Sequence, residues 1–307
     1  MSAVMGRGLL GIEELSRADI EAILARARDF QPAPHQPFGR FETLRGRTIV
    51  TLFFEASTRT RTSFEIAARR LGAEIISISV SASSVSKGES LVDTLNTLVA
   101  MRPDAIVMRH AASGAPHFLA RYLQIPIVNA GDGTHEHPTQ ALLDARTILD
   151  RRPTLEGLRV AIIGDIAHSR VARSNIHLLS KFGASVVLCG PASLLPIEMA
   201  QLAGGVELTN EMSEAIRDAD VIMMLRVQLE RQNEAAFPAS EYFQFFGLRQ
   251  EHIQLAKPDV IVMHPGPINR GREISSIVAD SQRSAILNQV ENGIAVRMAV
   301  LEKVLAA

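Results

Sequence analysis

The chain has 307 residues, 47% hydrophobic and 21% charged, with a formal net charge of -1. That balance suits a globular protein with one large domain or two of ordinary size, and the near-neutral charge gives no reason to expect nucleic acid or an acidic membrane as partner. The single cysteine, Cys189, excludes an internal disulfide and a CxxC zinc or redox pair.

In chain order, residues 1–10 are short and broken by Gly6 and Gly8, so no secretory signal is expected there. No apolar run approaches the roughly 20 residues of a membrane helix, and the expected location is the cytoplasm. A helical stretch over 12–30 comes first. Apolar runs of four to six residues then recur at 48–53, 74–79, 105–108, 125–128, 159–163, 185–188, 221–225 and 260–263. Continuous apolar runs of this length suit strands buried on both faces. Helical patterns lie between them: Phe64, Ala67, Ala68 and Leu71 share one face, as do Ala141, Leu142, Ala145, Ile148 and Leu149. Alternating strand and helix predicts parallel sheets joined by right-handed crossovers. A break at Asp150-Arg151-Arg152-Pro153-Thr154 divides the chain. The expected fold class is therefore α/β, two doubly wound domains, each with a central parallel sheet flanked by helices. Their expected bounds are 1–150 and 151–283, with a last helix over 284–307 that packs back on the first. Cys189 reads as a small buried residue at a strand end.

Six segments carry candidate chemistry, each at the end of an apolar run. Glu55-Ala56-Ser57-Thr58-Arg59-Thr60-Arg61 opens a helix. Ser57 suits an N-cap, and the first-turn N–H groups, two hydroxyls and a guanidinium would make an oxyanion cradle. Taken alone it also fits an ordinary capped helix with surface arginines. Arg109 ends the next strand but one, where doubly wound sheets bind ligands; a structural arginine fits there too. Asn129 to Gln140 places Pro138 at a helix start with His137 and Gln140 on one side. His135 and His137 raise a metal site, but no third ligand has suitable spacing. Gly164-Asp165-Ile166-Ala167-His168-Ser169-Arg170 is not GxGxxG, which argues against a dinucleotide. Arg170 and Arg226 could clamp carboxylates. His264-Pro265-Gly266-Pro267 is a stiff turn that suits a cis X–Pro bond. Cations and amides dominate the set, with no nucleophile–base pair, which suits alignment of two anions rather than covalent catalysis.

Read together, Ser57-Thr58-Arg59-Thr60-Arg61, Lys87-Gly88-Glu89, Val107-Met108-Arg109-His110, His137-Pro138-Thr139-Gln140, Gly164-Asp165, Arg226-Val227-Gln228 and His264-Pro265-Gly266-Pro267 resemble the aspartate/ornithine carbamoyltransferase family over nearly the whole chain. Ornithine-specific members typically carry an SMG-type motif near the position of Arg226 and HCLP near that of His264. Here an arginine and a cysteine-free proline loop look like the motifs for a dicarboxylate amine.

The resemblance implies transfer of the carbamoyl group of carbamoyl phosphate to the α-amine of L-aspartate, in de novo pyrimidine biosynthesis, with no cofactor and no metal. It implies that residues 1–150 bind carbamoyl phosphate and 151–283 bind aspartate. Ser57, Thr58, Arg59 and Thr60 would hold the phosphate. Thr60, Arg109 and His137 would contact the carbonyl oxygen, and Gln140 with the backbone of Gly266 and Pro267 the carbamoyl NH2. Arg170, Arg226, Gln228 and Lys87 would seat aspartate, and Glu55 would pair with Arg170 and Arg231 as the domains close. It further implies a homotrimer in which Ser83 and Lys87 enter the neighbour's site, and it leaves open an attached regulatory chain or dihydroorotase.

Overall fold

The computed structural model describes residues 8–33, 36–79, 90–226 and 239–306. It divides into two units, Met1–Arg146 with Glu291–Ala307, and Thr147–Val290. The divisions fall inside two helices, α5 (Pro138–Leu149) and α11 (Ile286–Leu305).

The first unit is built on a parallel five-stranded sheet of β1 (Gly8–Leu9), β2 (Thr48–Phe53), β3 (Glu74–Ser79), β4 (Ala105–His110) and β5 (Ile127–Asp132), in the order β1-β5-β4-β2-β3. Helices α1 (Arg17–Phe30), α2 (Thr58–Arg70), α3 (Leu91–Ala100) and α4 (Ala115–Leu119) connect it. Val50, Leu52, Ile106, Met108 and Ile127 interdigitate with Leu95, Leu119 and Leu123 in one core, each fully buried aliphatic side chain contributing about 1.5–3 kcal/mol before the entropy of ordering. The α2 helix buries Phe64, Ala67 and Ala68, the stripe its spacing predicts.

The second unit repeats the plan with β6 (Arg159–Ile163), β7 (Ser185–Cys189), β8 (Val206–Thr209), β9 (Val221–Met224) and β10 (Ile261–Met263), ordered β10-β9-β6-β7-β8 and all parallel. Its helices are α6 (Arg170–Lys181), α7 (Met212–Ile216), α8 (Ala239–Phe246), α9 (Gln250–Ile253) and α10 (Ser276–Ala279). Cys189 is buried in this unit's core, and burial, helped by Glu211 and Glu214, pushes its thiol up to about 12.

Three elements differ from the sequence expectation. The first helix starts at Arg17 rather than residue 12, because Ser16 and Asp19 close a capping box there. β1 is two residues long and β8 is an edge strand with Glu207 exposed, so neither has the continuous apolar run of a central strand. No helix among the described residues is long and apolar enough to cross a membrane.

Candidate active site

Strand order locates the candidate residues in each unit. In the first sheet the chain steps from β2 to β3 on one side, then returns to β4 on the other side of β2. The reversal leaves a switch point beyond the carboxyl ends of β2 and β4, where open α/β sheets bind ligands. Phe53 and Arg109 are register partners there, and Phe54 N–H donates to Arg109 O at 2.9 Å.

Two features mark that switch point. Ser57 occupies the N-cap of α2, with φ -158° and ψ 89°, yet makes no side-chain cap hydrogen bond. Thr58 and Arg59 are exposed, and Ser57 and Thr60 half-buried. Arg109 is buried, and its guanidinium is aimed by two acceptors: Nη1 donates to Ala130 O at 3.2 Å and Nη2 to Glu55 Oε1 at 2.7 Å. Glu55 therefore engages a cation of its own unit; Arg231 lies outside the described residues.

The β5–α5 connection supplies His137, Pro138, Thr139 and Gln140. All six residues of β5 are buried. Asn129 accepts from Gly131 N–H and donates to Leu10 O and Asp132 Oδ1, at 2.8–2.9 Å. This turn is tight: Gly133 has φ +45°, and an added Cβ would strike Ser113. His137 is buried, its carbonyl accepting from Gln140 N–H at 2.9 Å. Gln140 Nε2 donates to Asp144 Oδ1 at 2.9 Å.

The nearby histidine cluster is not the His135–His137 pair that the spacing raises. His135 instead faces His117 and Asp132, with ligand-capable atoms within 4.8 Å of one another. The Asp132 carboxylate already accepts from Gly114 N–H (2.6 Å), Asn129 Nδ2 (2.9 Å), Glu136 N–H (3.0 Å) and His135 Nδ1 (3.0 Å). A carboxylate has about four lone-pair sites, so its acceptor capacity goes to protein donors that fold the turn. Glu136, missed in the sequence, binds the N–H groups of Ile12 and Glu13 at 2.9–3.2 Å and ties the N-terminal segment to this loop.

In the second unit the switch point lies beyond β6 and β9, since the chain runs β6-β7-β8 and then returns to β9. Gly164, φ +140°, leaves β6; a Cβ there would sit 2.9 Å from Leu225 Cβ, so only glycine lets the two strand ends close up. Asp165 is fully buried and accepts from His168 N–H at 3.2 Å, with His168 Nδ1 at 2.9 Å. Ser169 caps α6 by accepting from Ala172 N–H at 3.0 Å. Arg170 is the buried first residue of that helix, and half-buried Arg226 follows β9. The two sequence-predicted arginines thus follow adjacent strands, Arg170 opening α6 after β6 and Arg226 just beyond β9.

The proline turn after β10 contains a cis Gly266–Pro267 bond. Its histidine is structural: Gly266 N–H donates to His264 Nδ1 at 2.8 Å, which leaves the proton on Nε2, facing Glu273 Oε1 at 3.2 Å, with both side chains fully buried. Ser83, Lys87 and Gln228 lie outside the described residues.

Comparison with known proteins matches both units. Residues 7–150 match the aspartate/ornithine carbamoyltransferase carbamoyl-P binding domain, and residues 156–304 the Asp/Orn binding domain of the same proteins. The aspartate carbamoyltransferase catalytic subunit of Solibacter usitatus is 79% identical over 301 residues, 98% of this chain and 100% of that one. Aspartate transcarbamoylase from Trypanosoma cruzi, solved with carbamoyl aspartate and phosphate, is 34% identical with a TM-score of 0.85, covering 97% of this chain and 95% of that one. Ornithine carbamoyltransferase from Pyrococcus furiosus is 31% identical with a TM-score of 0.89, covering 100% and 99%. The backbone is thus shared by enzymes for both amines, and it is with both domains, in order and at nearly full length, that the chain belongs to the aspartate/ornithine carbamoyltransferase family.

Proposed function

We propose that the chain is an aspartate carbamoyltransferase catalytic subunit, which joins the carbamoyl group of carbamoyl phosphate to the α-amine of L-aspartate and releases phosphate in de novo pyrimidine biosynthesis. The observation that carries this reading is the 79% identity, over the full length of the relative, with a catalytic subunit of that name. Arg226, in place of the motif expected of an ornithine enzyme, supports the same choice of amine.

The chemistry follows from the residues. The phosphate is held at the start of α2 by Ser57, Thr58, Arg59 and Thr60, where first-turn N–H groups and the helix dipole favour an anion. The neutral amine attacks the carbonyl carbon, and the C=O electron pair moves onto oxygen. Thr60, Arg109 and His137 donate to that oxyanion, and the Glu55 and Ala130 acceptors hold the Arg109 guanidinium in place beforehand, so little reorganisation is needed as charge develops. Gln140 and the backbone of Gly266 and Pro267 fix the carbamoyl NH2. Collapse breaks the C–O bond, its electron pair leaving on phosphate beside Arg59. The amine proton departs with it, since phosphate is a base the reaction itself supplies. Arg170, Arg226 and Gln228 seat the two aspartate carboxylates, with Lys87. No side chain forms a bond to substrate, so alignment and charge stabilisation supply the rate.

The working unit is a homotrimer in the cytoplasm, with Ser83 and Lys87 given to the neighbour's site. The test is direct: the purified protein, incubated with carbamoyl phosphate and either L-aspartate or L-ornithine, forms carbamoylated product with aspartate alone. Product from ornithine would reverse the reading of Arg226.

A further inference from the structure

The amide of Gln140 is held from behind. Its Nε2 donates to Asp144 Oδ1 at 2.9 Å, one turn further along α5. Asp144 is fully buried and Gln140 nearly so. An ionised carboxylate only accepts, so the pair admits one orientation of the amide, with nitrogen toward Asp144 and oxygen away from it. The charge on Asp144 has a source of support in Arg297 of α11. That guanidinium is buried, donates from Nη1 to Gly293 O at 2.9 Å and stands 5.1 Å over the Phe64 ring of α2. Burial pushes Arg297 down to about 10, with Asp144 opposing the shift and Arg109 adding to it. It therefore remains a cation at neutral pH. Gly293 makes room for it, since a Cβ there would come within 2.5 Å of Nη1.

We infer that Asp144 is a positioning residue, which fixes the Gln140 amide with its oxygen toward the carbamoyl group and so makes the site select a ligand bearing N–H over one bearing a methyl. The inference rests on the carbamoyl phosphate site proposed above. The carbamoyl nitrogen shares its lone pair with the carbonyl, so the NH2 is a donor and needs an acceptor. An amide turned the other way would set donor against donor. Asp144 removes that alternative before the ligand arrives.

The test compares two ligands that share phosphate and carbonyl and differ only in NH2 against CH3: carbamoyl phosphate and acetyl phosphate. Dissociation constants are measured by calorimetry on the parent and on Asp144→Asn, whose side-chain amide accepts either orientation of Gln140. The expected result is a loss of about tenfold in the preference for carbamoyl phosphate, the size of one net hydrogen bond, with acetyl phosphate binding changed by less than about twofold. A merely structural role would weaken both ligands together, and that result, or an unchanged preference, overturns the inference. Should Asp144→Asn not fold, neutron diffraction from deuterated parent crystals decides: deuterons on the Gln140 side-chain atom facing Asp144 are expected, and deuterons on the opposite atom would overturn it. A parent that binds neither ligand overturns the site reading and this role with it. A parent that discriminates beside a variant that still discriminates sinks the role of Asp144 alone.

Discussion

Each unit has a serine at the start of the helix that follows a switch-point strand, and the two serines are used differently. Ser169 accepts from Ala172 N–H at 3.0 Å, as Ser16, Ser90 and Ser275 accept from Asp19, Asp93 and Val278 at 3.1, 3.1 and 3.4 Å. Ser57 sits at the N-cap of α2 without such a bond, and Thr58, Arg59 and Thr60 follow it. A capping oxygen satisfies one of the orphan N–H groups of the first turn. Where the serine does so the helix start belongs to the fold, and the neighbouring arginine, Arg170, is buried with it. Where it does not, the neighbouring Arg59 is exposed, and that helix start is the phosphate cradle proposed above. Sequence reads both as serine-led, arginine-bearing helix starts, Ser57-Thr58-Arg59 and Ser169-Arg170; the backbone angles at the cap differ, φ -158° and ψ 89° against φ -94° and ψ 101°.

The largest effect should come from the group that couples the ligand end of β4 to that cradle. Arg109→Ala removes a proposed donor to the oxyanion and leaves the Glu55 carboxylate without its 2.7 Å partner. Loss of one such donor costs roughly 10²–10³ in rate, so steady-state kinetics should show kcat/KM for both substrates falling by about that factor. Arg109→Lys should not restore it, because a single ammonium cannot reach Ala130 O and Glu55 in the fork geometry of Nη1 and Nη2. Full recovery with lysine would mean that charge alone suffices and that the preset geometry is irrelevant.

The serine pair gives the next, smaller test. Ser169→Ala loses a cap and should lower unfolding stability by about 1 kcal/mol. Ser57→Ala loses no cap, so stability should move by less than about 0.5 kcal/mol, while the Kd for carbamoyl phosphate rises about tenfold for one lost hydrogen bond. Denaturation and calorimetry on both variants check the two halves. If Ser57→Ala destabilised the protein as Ser169→Ala does, the contrast between the helix starts would collapse.

The same contrast explains how much was legible beforehand. Central strands such as β2 and β4 are apolar on both faces and announce themselves, and the strand-end position of Ser57, Arg109, His137, Arg170 and Arg226 follows once those strands are placed. The edge strands were hidden: β8 carries the exposed Glu207, and β1 is only two residues. Buried charges were hidden for another reason. Asp144 and Arg297 look like the polar faces of amphipathic helices; their burial depends on elements more than a hundred residues apart in sequence, which periodicity within either helix does not report. Glu136 is of the same kind, its partners being the N–H groups of Ile12 and Glu13. Ser57 stands at the N-cap as residue preference predicts, with Thr58, Arg59 and Thr60 in the first turn, but its side chain makes no cap hydrogen bond, which residue preference does not report.

The smallest effect lies in the loop that carries His137. The hydrogen bond to Asp132 raises His135 above the ordinary histidine value, against a smaller opposing push from burial. His110, at the end of β4, shifts the other way, since burial disfavours its charged form. The signs give opposite pH dependences. A histidine raised in the folded state adds stability that is fully present below its unfolded value, about 6.5, and fades as pH rises through its folded value. A histidine lowered in the folded state withdraws stability as pH falls below about 6.5. His135→Asn should therefore destabilise the protein most near pH 6 and progressively less toward pH 8, by urea denaturation at each pH. His110→Asn should show the reverse trend relative to the parent, its cost shrinking as the pH falls. The His135 side chain is about a third exposed, so solvent screening keeps its effect small, and a cost that grew with pH would show that the His135–Asp132 contact is made by the neutral ring.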